Sequence, residues 1–217
     1  MKFCRDSLLL YAVTDRSWIG KMSLYEQVEA SLQGGVTCVQ LREKNLCYSD
    51  FLAEAKAISA LCRRYGVPLI VNDSLNVALE SGADGIHIGQ CDMKLQSVRK
   101  LAGKDFIVGV TVHTVQQAFE AKKDGADYIG LGAVFSTSTK TDVNLMSHNM
   151  LREICNAVDL PAVAIGGINK SNIMQLAGSG VSGIAVVSAI FGSDDIITSS
   201  SELLELSKRI VHTEEKR

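Results

Sequence analysis

The sequence predicts an α/β fold, a (β/α)8 TIM barrel formed by one domain over residues 1–217. Three observations support this prediction: β-branched runs alternate with amphipathic windows, eight such runs are present, and no linker or low-complexity segment divides the chain. Alternation of this kind is typical of parallel strands joined by helices, and eight units in this length fit a minimal barrel. The turn after the first run has no G-x-G-x-x-G motif, which disfavours an open doubly wound sheet.

The strand and helix candidates follow one another in a regular order. The strands are LLLYAVTD from Leu8, VTCVQLRE from Val36, PLIVND from Pro68, GIHIG from Gly85, FIVGVTV from Phe106, YIGLGAVF from Tyr128, PAVAIGGI from Pro161 and GIAVVSAI from Gly183. Crossover helices are predicted in SLYEQVEASLQ, SDFLAEAKAISALCRRY, TVQQAFEAKKD and SHNMLREICNAV, each with Ser, Thr or Asp where an N-cap belongs. Glycine precedes a strand in LQGGVTCVQL, ESGADGIHIG, KKDGADYIGLG and AGSGVSGIAVV, which predicts left-handed glycines at helix ends.

Composition limits the classes of partner. A net charge of −2 and a pI near 6.1 provide no basic field, so we expect no nucleic acid and no anionic membrane as partner. The N-terminal apolar run is too short for a membrane span and is read as the first strand. Six scattered cysteines without a CxxC pair predict reduced, mostly buried thiols. We expect a cytoplasmic protein whose last residues, HTEEKR, fray.

Polar residues collect where the second strand candidate ends. Gln40, Arg42 and Lys44 alternate with Leu41 and Glu43, so a regular strand would direct the first three to one side. Because TIM barrels carry their active sites at the carboxyl ends of the strands, two cations and an amide would face one site. A solvated cluster of loop charges is the alternative interpretation.

Two aspartates stand at the ends of the next strands. Asn72 and Asp73 end the third candidate, and Asp92 follows the fourth. Mg²⁺ is commonly bound by one or two carboxylates together with phosphate oxygens and water, so Asp73 and Asp92 are candidate metal ligands. The alternative is that each aspartate caps the helix that follows it.

Hydroxyl groups, an imidazole and a lysine follow the fifth and sixth candidates. Thr111 and His113 end the fifth strand, and Thr114 is a candidate N-cap, so His113 alone favours a structural role. The loop after the sixth strand places hydroxyl groups around Lys140, in the run Thr137, Ser138, Thr139, Lys140. Its position predicts closure over an anionic substrate, with a plain flexible loop as the alternative.

Glycine and serine follow the last two strands. Gly167 ends the seventh candidate, and Val187 and Ser188 lie in the eighth. Loops seven and eight of TIM barrels frequently bind phosphate through backbone N–H groups. The sequence therefore predicts two anion sites that face each other, with Lys140 within reach of both.

Taken together, the residues resemble the thiamine-phosphate synthase (thiamine-phosphate pyrophosphorylase) family. The resemblance covers nearly the whole chain through YAVTD, VQLREKN, LIVNDSLNVAL, GADGIHIGQCDM, IVGVTVHT, DGADYIGLGAVFSTSTKTD, VAIGGI and VVSAI, in order. It implies that 4-amino-2-methyl-5-(diphosphooxymethyl)pyrimidine is coupled to a thiazole phosphate, or to its carboxylated form, giving thiamine phosphate and pyrophosphate. Two departures are Cys91, where the family usually has an acidic residue, and GAVF, where it usually has glycine-proline.

The resemblance also implies roles for the candidate residues. For the pyrimidine diphosphate it implies binding by Gln40, Leu41, Arg42, Glu43, Lys44 and Asn72, with further contacts from Thr111 and Lys140. For the thiazole phosphate it implies contacts from Thr137, Ser138 and Thr139, with the phosphate group held by Gly167, Val187 and Ser188. It implies that Asp73 and Asp92 bind one Mg²⁺. Arg42, Lys44 and Lys140 would stabilise the departing pyrophosphate, as electrostatic catalysis requires. No protein nucleophile is implied.

Two rival functions remain open at this point. A thiazole tautomerase resembles the same family and would use a histidine, here His113, for proton transfer without the metal aspartates. A non-catalytic barrel that binds thiamine precursors as a sensor is the rival from a different class. Dimerisation is expected to be compatible with such a barrel, but the sequence identifies no interface.

Overall fold

A computed structural model describes residues 3–136 and 145–212, and these residues form a closed barrel of eight parallel strands. Each strand pairs with its neighbour in sequence, and the last strand pairs with the first. The strands are β1 Leu10–Val13, β2 Cys38–Leu41, β3 Leu69–Asn72, β4 Gly85–Ile88, β5 Ile107–Val112, β6 Tyr128–Gly132, β7 Ala162–Ile165 and β8 Gly183–Val186. The predicted TIM barrel is confirmed, with strands shorter than their apolar runs.

In the described residues, one helix follows each of the first six strands, and two more helices follow β8. They are α1 Leu24–Gln33, α2 Tyr48–Tyr65, α3 Leu75–Ser81, α4 Leu95–Ala102, α5 Val115–Lys123, α6 His148–Ala157, α7 Ser188–Phe191 and α8 Ile196–His212, with 3-10 turns at Arg5–Leu8, Arg16–Trp18 and Ile173–Leu176. The connection from β7 to β8 thus carries a 3-10 turn instead of an α-helix. Gly178 and Gly180 follow that turn with positive φ, a conformation that ends helical structure.

Most predicted helix caps are confirmed. Ser23, Thr114 and Ser147 accept hydrogen bonds from the backbone N–H groups of Glu26, Gln117 and Met150. The expected cap of α2 is wrong: this helix begins at Tyr48, after Cys47. The glycines of the four repeated phrases do adopt positive φ, at Gly35, Gly82, Gly125 and Gly180, which lets the chain turn back toward the next strand.

The strands separate two apolar clusters. One lies between the barrel and its helices, and the other fills the lower lumen with side chains that include Tyr11, Cys38, Ile70 and Tyr128. Within the described residues, no helix is both long and apolar enough to cross a membrane.

The expectation of mostly buried thiols is wrong. Cys38 and Cys62 are buried and Cys155 is partly exposed, whereas Cys4, Cys47 and Cys91 are exposed. The last three lie in loops, where chain connectivity and not side-chain hydrophobicity decides exposure.

Candidate active site

The carboxyl ends of the strands surround a cavity of about 450 Å³. This volume lies within the range of small-molecule sites, and the position is the one at which TIM barrels carry their active sites. Polar residues that line it include Tyr11, Gln40, Arg42, Lys44, Asn72, Asp73, His87, Gln90, Cys91, Asp92, Thr111, His113 and Ser188. Predicted residues from six strand ends, those of β2, β3, β4, β5, β7 and β8, therefore line one cavity.

The end of β2 directs alternate side chains into this cavity. The strand ends at Leu41, but Gln40, Arg42 and Lys44 all line the cavity as the alternation predicted. Leu41 and Glu43 do not line it. Leu41 is fully buried against the helices, and the Glu43 carboxylate accepts a hydrogen bond from Arg16 at 2.8 Å. Any substrate contact from these two residues would therefore come from the backbone.

Arg42 is held by the residues that follow β1. The Thr14 hydroxyl accepts from the Arg42 backbone N–H at 2.9 Å, and Asp15 Oδ2 accepts from the Arg42 guanidinium at 2.9 Å. Burial alone would raise the pKa of Asp15, but hydrogen bonds from Ser17 and the charge of Arg42 outweigh it and lower that pKa. Asp15 is therefore ionised at neutral pH and orients Arg42 at the cavity.

Lys44 and Asp73 form an ion pair across the mouth, with Nζ and Oδ2 2.6 Å apart. Asp73 has a φ of 62°, in the left-handed region that aspartate adopts more readily than most residues other than glycine. Its backbone N–H donates to the carbonyl of His87 on the adjacent strand at 2.9 Å. The backbone conformation and this bond together turn Asp73 at the end of β3 into the cavity lining.

Asp92 lies on the loop after β4, where its Oδ2 accepts from the Gly89 backbone N–H at 2.7 Å. Neither metal candidate is a helix N-cap, because α3 is preceded by Ser74 and α4 by Lys94. The capping alternative is therefore wrong as stated for both. In residues 3–136 and 145–212 no three His, Cys, Asp or Glu groups converge as a metal cluster. Two carboxylates at one cavity nevertheless fit Mg²⁺, which would complete its shell with phosphate oxygens and water.

A chain of hydrogen bonds crosses the floor of the cavity. Gln40 Nε2 donates to the Tyr11 hydroxyl at 2.8 Å, the hydroxyls of Tyr11 and Tyr128 are 2.8 Å apart, and Tyr128 Oη lies 3.0 Å from His87 Nδ1. His87 Nε2 in turn lies 2.9 Å from Thr111 Oγ1. The Gln40 amide donates at one end of this chain, and the hydroxyl and imidazole groups that follow can each donate or accept.

Sequence reasoning did not single out Tyr11, His87 or Tyr128. A signal was available: His87 is a polar residue between Ile86 and Ile88, and the alternation of a strand turns it to the opposite face, into the lumen. The cross-barrel pairing itself could not be read from sequence, because Tyr11 and Tyr128 are 117 residues apart.

The remaining candidates divide into two groups. His113, Gly167, Val187 and Ser188 line the cavity, and Ser188 begins the short helix α7. Thr137, Ser138, Thr139 and Lys140 lie outside the described residues, so their predicted roles stay predictions.

Comparisons with known proteins find similarity over nearly the whole chain. A family profile described as "Thiamine monophosphate synthase" matches residues 10–190. The chain is 49% identical to a "Thiamine-phosphate synthase" of Ruminiclostridium cellulolyticum, over 91% of this chain and 94% of that protein. It is 45% identical to a "Thiamine-phosphate synthase" of Clostridium tetani, over 89% of this chain and 93% of the relative.

A solved structure supports the same relationship. The thiamine phosphate pyrophosphorylase of Pyrococcus furiosus superposes with a TM-score of 0.88 at 37% identity, covering 95% of this chain and 98% of the other. The family profile spans all eight strands, including the ends that line the cavity. The chain belongs to the thiamine monophosphate synthase family.

Proposed function

We propose that this chain couples 4-amino-2-methyl-5-(diphosphooxymethyl)pyrimidine to a thiazole phosphate, with Mg²⁺ and by a dissociative route. The chain is an enzyme of the thiamine-phosphate synthase family, whose reaction joins pyrimidine and thiazole moieties to give thiamine phosphate. The observation that carries the finer proposal is the cavity itself, which Arg42, Lys44, Asp73 and Asp92 line together with a hydrogen-bonded floor. Cations suit a diphosphate, and neutral donors and acceptors suit an aminopyrimidine.

The residues at the end of β2 would stabilise the departing pyrophosphate. Arg42 and Lys44 are paired with Asp15 and Asp73, so their charge is already oriented. As the carbon–oxygen bond to the diphosphate breaks, negative charge grows on the leaving group, and preorganised cations lower the energy of that state. Lys140 would add a third cation. The thiazole nitrogen then attacks the pyrimidine methylene, so no protein nucleophile is required.

Asp73 and Asp92 would hold the Mg²⁺, with phosphate oxygens and water as further ligands. When bound, the ion supplies positive charge that stabilises the leaving diphosphate. Lys44 would then exchange its bond to Asp73 for one to the diphosphate.

The second substrate would lie toward β7 and β8. Gly167 has a φ of 64° and no side chain, and a Cβ there would meet the Ser136 carbonyl oxygen at 2.2 Å. Backbone packing therefore requires glycine there, and Gly167, Val187 and Ser188 line the side of the cavity where TIM barrels frequently bind phosphate. Thr137, Ser138 and Thr139 would contact the same phosphate, as the resemblance implies.

The test is formation of thiamine phosphate from both substrates with Mg²⁺, comparing the native chain with Asp92→Ala and Lys140→Ala. Loss of one such group typically lowers kcat by about 10²–10³-fold, so we expect losses of that order in both variants. Asp105→Ala and Lys104→Ala are the matched controls, because both residues are exposed and precede β5 at the opposite end of the barrel. These controls should retain native rates.

A tautomerase is the second candidate, because His113 lines the same cavity. Proton transfer alone requires no metal, so a tautomerase would act without Mg²⁺ and would lose activity in His113→Ala. Failure of folded native protein to form thiamine phosphate would reject the synthase and leave this assay to decide.

We also propose a cytoplasmic location and leave a homo-oligomer as an expectation. Exposed thiols at Cys4, Cys47 and Cys91 support a reducing compartment, since such groups are oxidised readily elsewhere. Cell fractionation and light scattering test the two statements separately.

A further inference from the structure

Three consecutive residues after β1 hold the segment that carries Arg42 and Lys44. We call residues 14–16 loop 1 and residues 42–44 loop 2. Thr14 and Asp15 bond to Arg42, while Arg16 turns the opposite way and bonds to Glu43 through Nε at 2.8 Å. The cavity face of loop 2 is thus held by one set of bonds and its outer face by another.

A second carboxylate completes the outer face. Glu54, on α2, accepts from the other side of the Arg16 guanidinium at 2.7 Å. The Glu43 side chain is only 3% exposed and that of Glu54 22% exposed, so one arginine faces two largely buried acids. Two full negative charges packed together against one positive charge are unfavourable at low solvent exposure.

The two carboxyl oxygen atoms that Arg16 does not bind indicate how this unfavourable charge is reduced. Glu43 Oε1 and Glu54 Oε2 are both buried and, among residues 3–136 and 145–212, have no hydrogen-bond partner. Both carboxyl groups accept hydrogen bonds from the same Arg16 guanidinium, which brings the two acids side by side. A single proton between them would satisfy both buried oxygens and reduce the charge of the cluster to zero.

We propose that Glu43 and Glu54 share one proton and, bound by Arg16, position loop 2 so that Arg42 and Lys44 face the diphosphate. Glu43 is then a positioning residue, which acts through the backbone it shares with its two cationic neighbours. The inference rests on the proposed function for the identity of the anion, and on the described geometry for the acid pair.

The charged groups that face Glu54 in the described chain are Glu43 from loop 2 and Arg16 from the turn after β1. Burial and the Glu43 carboxyl raise the pKa of Glu54 to about 7, and Arg16 opposes them only in part. Above that pH the pair loses its proton, the carboxylates repel each other, and loop 2 gains a negative charge beside its cations. Anion binding should therefore weaken as pH rises through neutrality.

The experiment measures binding of inorganic pyrophosphate, with Mg²⁺ in excess, to the native chain and to Glu54→Gln by calorimetry at about pH 6 and about pH 8. The glutamine amide can donate to Glu43 at every pH, so the variant keeps the bond and removes the titration. At each pH we take the ratio of the native Kd to the Glu54→Gln Kd. Ionisation of pyrophosphate changes both values equally and therefore cancels in this ratio. We expect native binding to weaken relative to the variant by about threefold or more over this range.

Glu29→Gln is the matched control, since Glu29 pairs with Arg64 at 3.0 Å on the outer helices and should leave the ratio unchanged. Infrared difference spectra of the free protein over the same pH range should show a protonated carboxyl band that Glu54→Gln lacks and Glu29→Gln retains. Pyrophosphate binding with a pH-independent ratio, or absence of that band, would overturn the inference. Absence of any pyrophosphate binding would instead reject the proposed function, and the infrared band would still report on the shared proton.

Discussion

At the end of β2, the role of each residue depends on whether its side chain faces the cavity or the helices. Gln40, Arg42 and Lys44 reach the cavity, whereas Leu41 and Glu43, between them in sequence, pack or pair behind it. A one-residue shift of register would exchange the two sets and place an aliphatic chain and an acid at the anion site. Alternate positions of VQLREK therefore supply the cations that line the cavity and the side chains that pack or pair behind them.

Tyr128→Phe tests the hydrogen-bonded floor. Removing this hydroxyl takes one partner each from Tyr11 and His87 in a buried site, which typically costs about 1–3 kcal/mol in the free energy of unfolding. Urea unfolding measures it, with Tyr65→Phe as control because that hydroxyl is bonded at the exposed surface, to Glu29. Equal stability of the two variants would show that the chain of hydrogen bonds contributes nothing.

At the scale of elements, β5 and β6 pack closely because a glycine on one strand lies beside a large ring on the other. Gly109 on β5 lies against the Tyr128 ring on β6, and its hydrogen occupies the place where a Cβ would be 2.0 Å from Tyr128 Cζ. The ring fills the lumen only because the adjacent strand has no side chain at that level. The tyrosine and the glycine are thus one packing unit.

Gly109→Ala should consequently displace the ring. Overpacking of this kind typically costs about 1–3 kcal/mol, and we expect that loss in the free energy of unfolding together with weaker binding of the pyrimidine substrate. The matched control is Gly20→Ala, where no atom lies within 4 Å of the added Cβ and the change should stay within about 0.5 kcal/mol. A native-like unfolding curve for Gly109→Ala would contradict the packing argument.

For the whole molecule, buried ionisable groups set the alkaline limit of stability. Burial raises the pKa of Tyr11 and of Tyr128 well above the usual value and raises that of Cys62 to about 12. In each case the folded-state pKa exceeds the unfolded one, so the unfolded chain releases these protons first as pH rises. The free energy of unfolding is therefore unaffected by these groups below the unfolded pKa values of about 8.5–10 and falls as pH rises above them.

Alkaline unfolding should therefore coincide with ionisation of the two buried tyrosines. We expect tyrosinate absorbance from Tyr11 and Tyr128 to appear together with the loss of helical circular dichroism, at a pH above that at which an exposed tyrosine ionises (about 10). In Tyr128→Phe the amplitude of this cooperative step should fall by about one tyrosine. Gradual tyrosinate formation before any loss of helix would show that the rings are accessible in the folded state.

The amino-acid sequence by itself determined the barrel, the order of its strands and many of the described residues that line its mouth. It could do so because alternation along a strand and position at a strand end are local properties, visible at Gln40, Asp73 and Thr111. Tertiary structure alone decided the Tyr11–Tyr128 contact, the burial of Glu43 against Glu54 and the 3-10 turn before β8. Those features depend on groups brought together by barrel closure, which places residues far apart in sequence side by side and leaves no periodic signal in the chain.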